Sequence, residues 1–261
     1  MADQIIVETH QDGAVEVWTL NRAEKLNALS TPLIGELAAA VQRVHDDPRV
    51  RAVVITGSGR AFCAGADLAE LDGADSPGQQ AGFGRRLQAV LSAIEALDRP
   101  VLAALNGMAL GGGCELLLAC DLVVADEGAT IGVPEIRVGV IPGGGGTQRL
   151  PRVVGRNVAK DLVMRGTSLS ARRAYELGLV NEVVAGGEAL HTALTWASEL
   201  ANGPSVAIGT AKRVINRGIE ADLAAGLELE LQALHALFGT QDAKDGLRAF
   251  VGHTKPEFRG R

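Results

Sequence analysis

Aromatic side chains are scarce in this 261-residue chain: five Phe, two Trp and one Tyr, 3% of the whole. A single-stranded nucleic-acid surface built on base stacking is excluded by that shortage. An excess of positive charge is missing as well. Lys and Arg number 25 against 31 Asp and Glu, for a formal charge of −6 and a pI near 5.4, the wrong sign for gripping a phosphate backbone. Cysteine is limited to Cys63, Cys114 and Cys120. They form no C-x-x-C, and an odd number leaves one thiol over in any disulfide scheme, so a reducing compartment is expected. Apolar runs such as Val101–Leu105 fall far short of the ~20 residues needed to span a bilayer. The opening MADQIIVETHQDG has neither the basic cluster nor the apolar centre of a secretory signal. These shortages point to a cytoplasmic globular protein with no nucleic-acid and no membrane partner.

Several site chemistries are missing too. His10, His45, His191, His235 and His253 are scattered with no ligand spacing, so no metal site is expected. No G-x-x-x-x-G-K-[ST] occurs. G-x-G-x-x-G fails at Gln148 after Gly143 and Gly145, and at Leu116 after Gly111 and Gly113. Ser58 is no nucleophile elbow, because Thr56 and Arg60 occupy the required glycine positions.

What the chain has in quantity is glycine, 33 residues, gathered around 107–113 and 139–146 without a period. Ile5–Val7 and Val15–Leu20 flank Gln11-Asp12-Gly13 as a hairpin. Ser30-Thr31-Pro32 supplies a cap and an early proline for a helix through about His45. Arg51–Thr56 and Val101–Leu105 read as buried strands, with further short strands at Leu122–Ala125, Ala129–Gly132 and Val180–Val184. Helical spacing covers Gly84–Leu97, and Asp72–Gly84 before it reads as a mobile surface segment. From Gly155 the texture turns helical: Asn157–Met164, Ser170–Leu177, Gly187–Leu200, Ser205–Arg217 and Ala221–Phe238. The whole is an α/β core over residues 1–195 with a helical C-terminal region over 196–261.

Two acids stand out. Glu115 lies in ALGGGCELLLACD (109–121), between three glycines and an apolar run. A carboxylate there is close to burial, and buried carboxylates need partners. Glu135 lies in IGVPEIRVGVIP (131–142), just before Gly143–Gly146. Two carboxylates at one substrate can divide general-acid and general-base work. The bland alternatives are an arginine-paired structural acid for Glu115 and a solvated loop residue for Glu135. A glycine turn opening a helix also presents free N–H groups at the positive end of a helix dipole, where a developing oxyanion can be held. CAGADL (63–68) has the same design, with Asp67 placed as a helix cap. Close strand–helix packing would ask for the same small residues.

LNRAEKLNALS (20–30), RAFCAGADLAEL (60–71), LNGMALGGGCELLLACD (105–121), PEIRVGVIPGGGGTQRLPRVVG (134–155) and the tail AFVGHTKPEFRGR (249–261) together resemble the crotonase family, the enoyl-CoA hydratase/isomerase superfamily. The likeness runs end to end. It implies a crotonase-like spiral of ββα repeats followed by C-terminal helices that build a homotrimer or a hexamer, a dimer of trimers. It implies an acyl-CoA thioester substrate and no cofactor beyond the coenzyme A that the substrate carries. By the resemblance the oxyanion hole falls on the N–H groups of Ala66 and Gly112. Glu115 would activate water for attack at C3, and Glu135 would deliver a proton to C2. Lys25, Leu26, Ala28, Ala64, Gly65, Asp67 and Leu68 would line the CoA and pantetheine path. Gly111 would lie against the thioester carbonyl, Pro134 and Gly143 would border the acyl side, and Phe238 would pack on CoA across subunits. Both acids favour hydration over double-bond isomerisation or another acyl-CoA lyase or hydrolase chemistry. A non-catalytic acyl-CoA-binding relative would be expected to lack one of them. The tail departs from the family at His253, where a CoA-binding lysine is usual. That leaves either Lys255 as a substitute or a weaker grip on the CoA phosphates.

Overall fold

The computed structural model describes residues 4–74 and 76–261. The chain opens with the hairpin β1 (Ile5–His10) and β2 (Val15–Leu20), paired antiparallel in register from Ile5↔Leu20 to His10↔Val15. Helix α1 (Thr31–Asp46) follows, with Ser30 Oγ accepting the Leu33 amide at 3.2 Å and Pro32 in its first turn. A winding pattern then sets in. Strands β3 (Ala52–Gly57) and β4 (Ala61–Cys63) lead to α2 (Leu68–Asp72) and α3 (Pro77–Ala96). Next come β5 (Val101–Leu105), β6 (Met108–Leu110) and α4 (Gly112–Leu118), then β7 (Leu122–Asp126) and β8 (Thr130–Gly132).

Successive strands alternate between two sheets, so each turn of chain adds one strand to each sheet and a helix outside them. The larger sheet runs β1-β2-β3-β5-β7-β10 and the smaller β4-β6-β8-β9. Within both, the turn-to-turn neighbours β3–β5–β7 and β4–β6–β8 are parallel. This is the expected spiral of ββα repeats. The remaining elements are α5 (Gly146–Val154), α6 (Arg156–Arg165), β9 (Ser168–Ser170), α7 (Ala171–Glu176), β10 (Glu182–Val184), α8 (Ala189–Ala201), α9 (Ser205–Gly218), α10 (Leu223–Phe238) and α11 (Gln241–Val251).

Both faces of the larger sheet are buried, which is why its central strands read as continuous apolar runs. On β3, Val53 and Ile55 face the main core with Leu33, Leu37, Leu91 and Ile94. Ala52 and Val54 face a second core against Ala189, Ala193, Ala197 and Ala201, a four-residue-spaced ridge on α8. Residue 195 falls inside that helix, and α9 to α11 lie beyond it. Along α10 no residue is buried.

One expectation is corrected. Much of Asp72–Gly84 is not loop: α3 starts at Pro77, seven residues ahead of Gly84, with Ser76 Oγ accepting the Gln79 amide. A serine cap and an N1 proline outweigh the propensity cost of Gly78 and Gly82. Asp75, in the same stretch, lies outside the described residues. The three-residue strands β4, β6 and β9 were too short for a sequence pattern to reveal. Helix α5 was hidden by its four-glycine lead and by Pro151 inside it.

Candidate active site

The loop after β2 and the loop after β4 are zipped together. Leu29 N–H donates to the Gly65 carbonyl at 2.7 Å and Asp67 N–H to the Leu29 carbonyl at 2.8 Å. That parallel bridge, Leu29 against Ala66, uses the flanking groups and turns the Ala66 N–H the other way. Ala64 N–H donates to the Leu26 carbonyl, which ties the expected CoA-path residues of both loops into one wall. Arg22 fastens the wall further, pairing with Asp67 Oδ2 at 2.9 Å and donating to the Ala28 carbonyl. Asn27, fully buried, takes the Arg22 amide on Oδ1 and gives its Nδ2 protons to the Ser58 and Ala61 carbonyls. Leu26 and Asn27 both hold positive φ, 51° and 56°, a conformation seldom adopted by non-glycine residues. Lys25 and Leu68 lie at the exposed rim.

The triple glycine comes up beside that wall. Gly111 takes φ 53°, ψ −123°, and Gly65 takes φ 104°. A Cβ on Gly65 would lie 3.4 Å from the Gly112 nitrogen, and one on Gly112 would lie 3.5 Å from the Ala66 nitrogen. The two amides are therefore neighbours. Among the described residues neither N–H has an acceptor. Gly113 is needed for packing instead, since any Cβ there would collide with the Cys63 carbonyl. Leu29 Cδ1 and Leu87 Cδ2 flank the Gly112 position at 3.1 and 3.4 Å.

Glu115, on the first turn of α4, is 2% exposed. Its partner is not an arginine side chain. Oε1 accepts the amides of Gly144 and Gly146 at 2.7 and 2.8 Å. Burial raises its pKa; the glycine amides and the Arg149 charge pull it back. The loop has no room for side chains, since a Cβ on Gly144 would lie 2.5 Å from Glu115 Oε2. Gly143, at the loop's exposed start, gives its carbonyl to Gln88 Nε2 on α3 at 2.7 Å.

Glu135 belongs to the 3₁₀ turn Pro134–Val138, with Pro134 at its first position. Its Oε1 lies 3.1 Å from where a Gly111 Cβ would be. Oε2 is buried with no hydrogen-bond partner. Desolvation, helped by the negative charge of Glu115, pushes this carboxyl up to about 7. It is not the solvated loop residue of the bland alternative. Phe238, by contrast, stands apart from these residues at the end of α10, 57% exposed, and α10 packs on α9 and α11. His253 and Lys255 are exposed beyond α11.

Sequence reasoning missed Leu87, Arg22, Asn27 and Arg149. Leu87 sits one turn from Phe83 on the buried face of α3, and its helical spacing was visible while its proximity to Gly112 was not. Phe83 also borders a cavity of about 510 Å³ between α2 and α3, together with Leu71, Ala74, Gln79 and Arg86.

Two neighbouring amides without acceptors among the described residues, and two buried carboxyls, thus lie close together on a two-sheet ββα spiral. The enoyl-CoA hydratase/isomerase family model matches residues 10–261. The short-chain-enoyl-CoA hydratase of Clostridium acetobutylicum is 38% identical, over 98% of this chain and 97% of its own. The crotonyl-CoA hydratase of Syntrophomonas wolfei is 40% identical, over 98% of each. The crystal structure of an enoyl-CoA hydratase from Bacillus anthracis superposes with a TM-score of 0.95 at 39% identity, covering 99% of this chain and 100% of that one. The chain belongs to the enoyl-CoA hydratase/isomerase family.

Proposed function

We propose that the protein is an enoyl-CoA hydratase, a hydro-lyase that adds water across the 2,3 double bond of a 2-enoyl-CoA thioester. The observation that carries this reading is the pair of buried carboxyls, one held by two glycine amides and the other with an unpartnered oxygen, beside two amides without acceptors. The thioester oxygen sits between the N–H groups of Ala66 and Gly112. As water adds, negative charge moves onto that oxygen, and donors fixed in advance stabilise it more than they stabilise the ground state. Glu115, its Oε1 held by the Gly144 and Gly146 amides, takes a proton from water as the oxygen bonds to C3. Glu135, protonatable near neutral pH, gives its proton to C2. Water's hydroxide equivalent ends on C3, one proton ends on C2, and one proton passes from Glu115 back to Glu135 before the next turnover. The addition is redox-neutral and the two carboxyls account for both proton transfers, so the reaction as proposed needs no redox cofactor.

The zipped loops around Lys25, Leu26, Ala28, Ala64, Gly65, Asp67 and Leu68 form the wall along which pantetheine runs. The acyl chain leaves past Gly111, Pro134, Gly143 and Leu87 toward the cavity beside Phe83. We further propose that the helical region after α8 assembles the chain into a trimer, or a hexamer of two trimers. Exposed Leu223, Leu227, Leu231, Leu234 and Phe238 on α10 support that reading, and Phe238 meets CoA from a neighbouring subunit. Three free thiols support a reducing, cytoplasmic setting.

The test is direct. Purified protein is mixed with a panel of 2-enoyl-CoAs from four carbons upward, and the enoyl-thioester absorbance is followed. Loss of the band with formation of 3-hydroxyacyl-CoA is expected. No loss at any chain length, with turnover of a 3-enoyl-CoA instead, overturns hydration in favour of isomerisation.

A further inference from the structure

The glycine loop that cradles Glu115 has a second charged group behind it. Gly144–Gly146 is threaded between the Glu115 carboxylate and the Arg149 guanidinium. A Cβ on Gly144 or Gly146 would crowd the carboxylate, and a Cβ on Gly145 would run into Arg149 Nη1. Gly145 also holds φ 114°, so two independent demands keep it glycine.

All three guanidinium nitrogens are engaged. Nε and Nη2 donate to Glu95 Oε2 at 3.1 and 2.8 Å, Nη2 also to Ser92 Oγ at 3.1 Å, and Nη1 to the Gly144 carbonyl at 3.1 Å. A lysine has one charged atom and cannot hold α3 and the loop at once. The pair is half-sheltered, with 16% of the Arg149 side chain exposed and 39% of Glu95.

We propose that Arg149 is a positioning residue for Glu115: pinned to α3 by Glu95 and Ser92, it clamps the Gly144–Gly146 loop onto the carboxylate and supplies the positive charge behind it. The clamp acts through the Gly144 carbonyl. Pulling on that oxygen orients the Gly144–Gly145 peptide, and the loop's N–H groups stay turned toward Oε1. The charged or titratable groups facing Glu115 are few. Arg149 reaches it from α5 and Glu135 from the 3₁₀ turn, and Cys114 lies beside it on α4. Glu95 acts from α3 only through Arg149, and β6 carries none. Cys63 and Cys114 are neutral thiols, raised by burial, Cys63 to about 12. Arg149 is thus the cation that opposes the burial of Glu115. Because Glu95 sits on α3 two turns beyond Leu87, the wall that meets the acyl chain and the clamp on the base share one helix.

This inference rests on Glu115 being the base, and its test separates the two. The pH dependence of kcat/KM for crotonyl-CoA hydration is measured in Arg149→Gln, Arg149→Lys and Glu95→Gln, with folding checked by circular dichroism. Removing the charge should move the acidic limb up by about one pH unit, with about tenfold lower kcat/KM below it. The alkaline limb, governed by Glu135, should stay near its place. Arg149→Lys keeps the charge and loses the fork, so its limb should rise by less. Glu95→Gln keeps an acceptor and removes a neutralising charge, so its limb should fall. A purely structural arginine would lower activity at every pH without moving the limb. An active wild type whose acidic limb is unmoved in folded Arg149→Gln overturns the clamp and leaves the hydratase reading standing. If that variant does not fold, Arg149→Lys and Glu95→Gln decide, and limbs that stay put or move the other way overturn it. A wild type that hydrates no enoyl-CoA overturns the function itself.

Discussion

Glu115 and Glu135 meet at Gly111 in opposite conditions. Glu115 starts its helix by donating its amide to the Gly111 carbonyl at 3.0 Å, and two glycine amides satisfy its carboxylate. Glu135 brings Oε1 to the other side of Gly111 and leaves Oε2 buried without a partner. Burial raises both carboxyls, but two amides and Arg149 pull Glu115 back while Glu135 is pushed up to about 7, and carboxyls held apart in this way can divide proton transfer.

The first prediction follows from that division. Glu115→Gln and Glu135→Gln keep size and shape and abolish proton transfer. Each should lower crotonyl-CoA hydration by several orders of magnitude in a steady-state assay. The double variant should be little worse than the poorer single, because groups that act as a unit are not additive. Full hydration activity in Glu115→Gln would remove that residue from the mechanism.

Glu135 also makes a stability prediction. Its carboxyl is raised from an ordinary 4.5 to about 7 in the folded chain. Between those values the folded state binds more protons than the unfolded one, so stability falls as pH rises through the window. By about pH 8 the buried charge costs on the order of 2–3 kcal/mol. Glu135→Gln removes the charge and should melt a few degrees higher than wild type at pH 8, with the gap closing by pH 4. Equal melting temperatures at pH 8 would contradict the buried, unpartnered Oε2. In the wild type, kcat/KM should decline above about pH 7, as the acid is lost.

The legible and illegible parts of this molecule divide by range of interaction. The hairpin around Gln11–Gly13 and the Ser30 cap were readable because their causes lie within four residues. Strands β3 and β5 were readable because both faces are buried and nearly every position is apolar. The pairing of Ala66 with Gly112 was reached only through the family likeness, since it depends on two turns of the spiral stacking. Oε2 of Glu135 gives no local signal at all. Its burial is set by elements far off in sequence, and IGVPEIRVGVIP reads equally well as an open loop. Arg149 gives no local signal either, since its partners are Glu95, 54 residues away, and the Gly144 carbonyl.

Assembly can be predicted from what α10 leaves uncovered. Leu223, Leu227, Leu231 and Leu234 recur at helical spacing, and each is at least 46% exposed in the single chain. The assembly proposed above predicts that a neighbouring subunit covers this stripe. Light scattering at micromolar concentration should give a trimer or a multiple of it. Leu227→Glu with Leu231→Glu should shift the mass downward and weaken turnover through loss of the neighbour's Phe238. A stable wild-type monomer would refute the assembly.

The backbone donors give the sharpest contrast. Gly112 opens α4, where proline is tolerated because the first-turn N–H groups have no helical partner. Gly112→Pro removes the one N–H that faces Ala66, with no change of charge. Gly112→Ala keeps it and adds only a Cβ, 3.1 Å from Leu29 Cδ1 and 3.4 Å from Leu87 Cδ2, both flexible side-chain ends. If that amide holds the thioester oxygen, its loss should cost about 2.7–4 kcal/mol of transition-state stabilisation, a fall in kcat of about a hundredfold to a thousandfold. The alanine variant should keep most of the wild-type kcat while KM rises modestly from the tighter pocket. Comparing the two cancels the Cβ that both add and leaves the lost N–H with the proline ring that replaces it. Equal kcat in folded Pro and Ala variants would mean that the oxygen is held elsewhere.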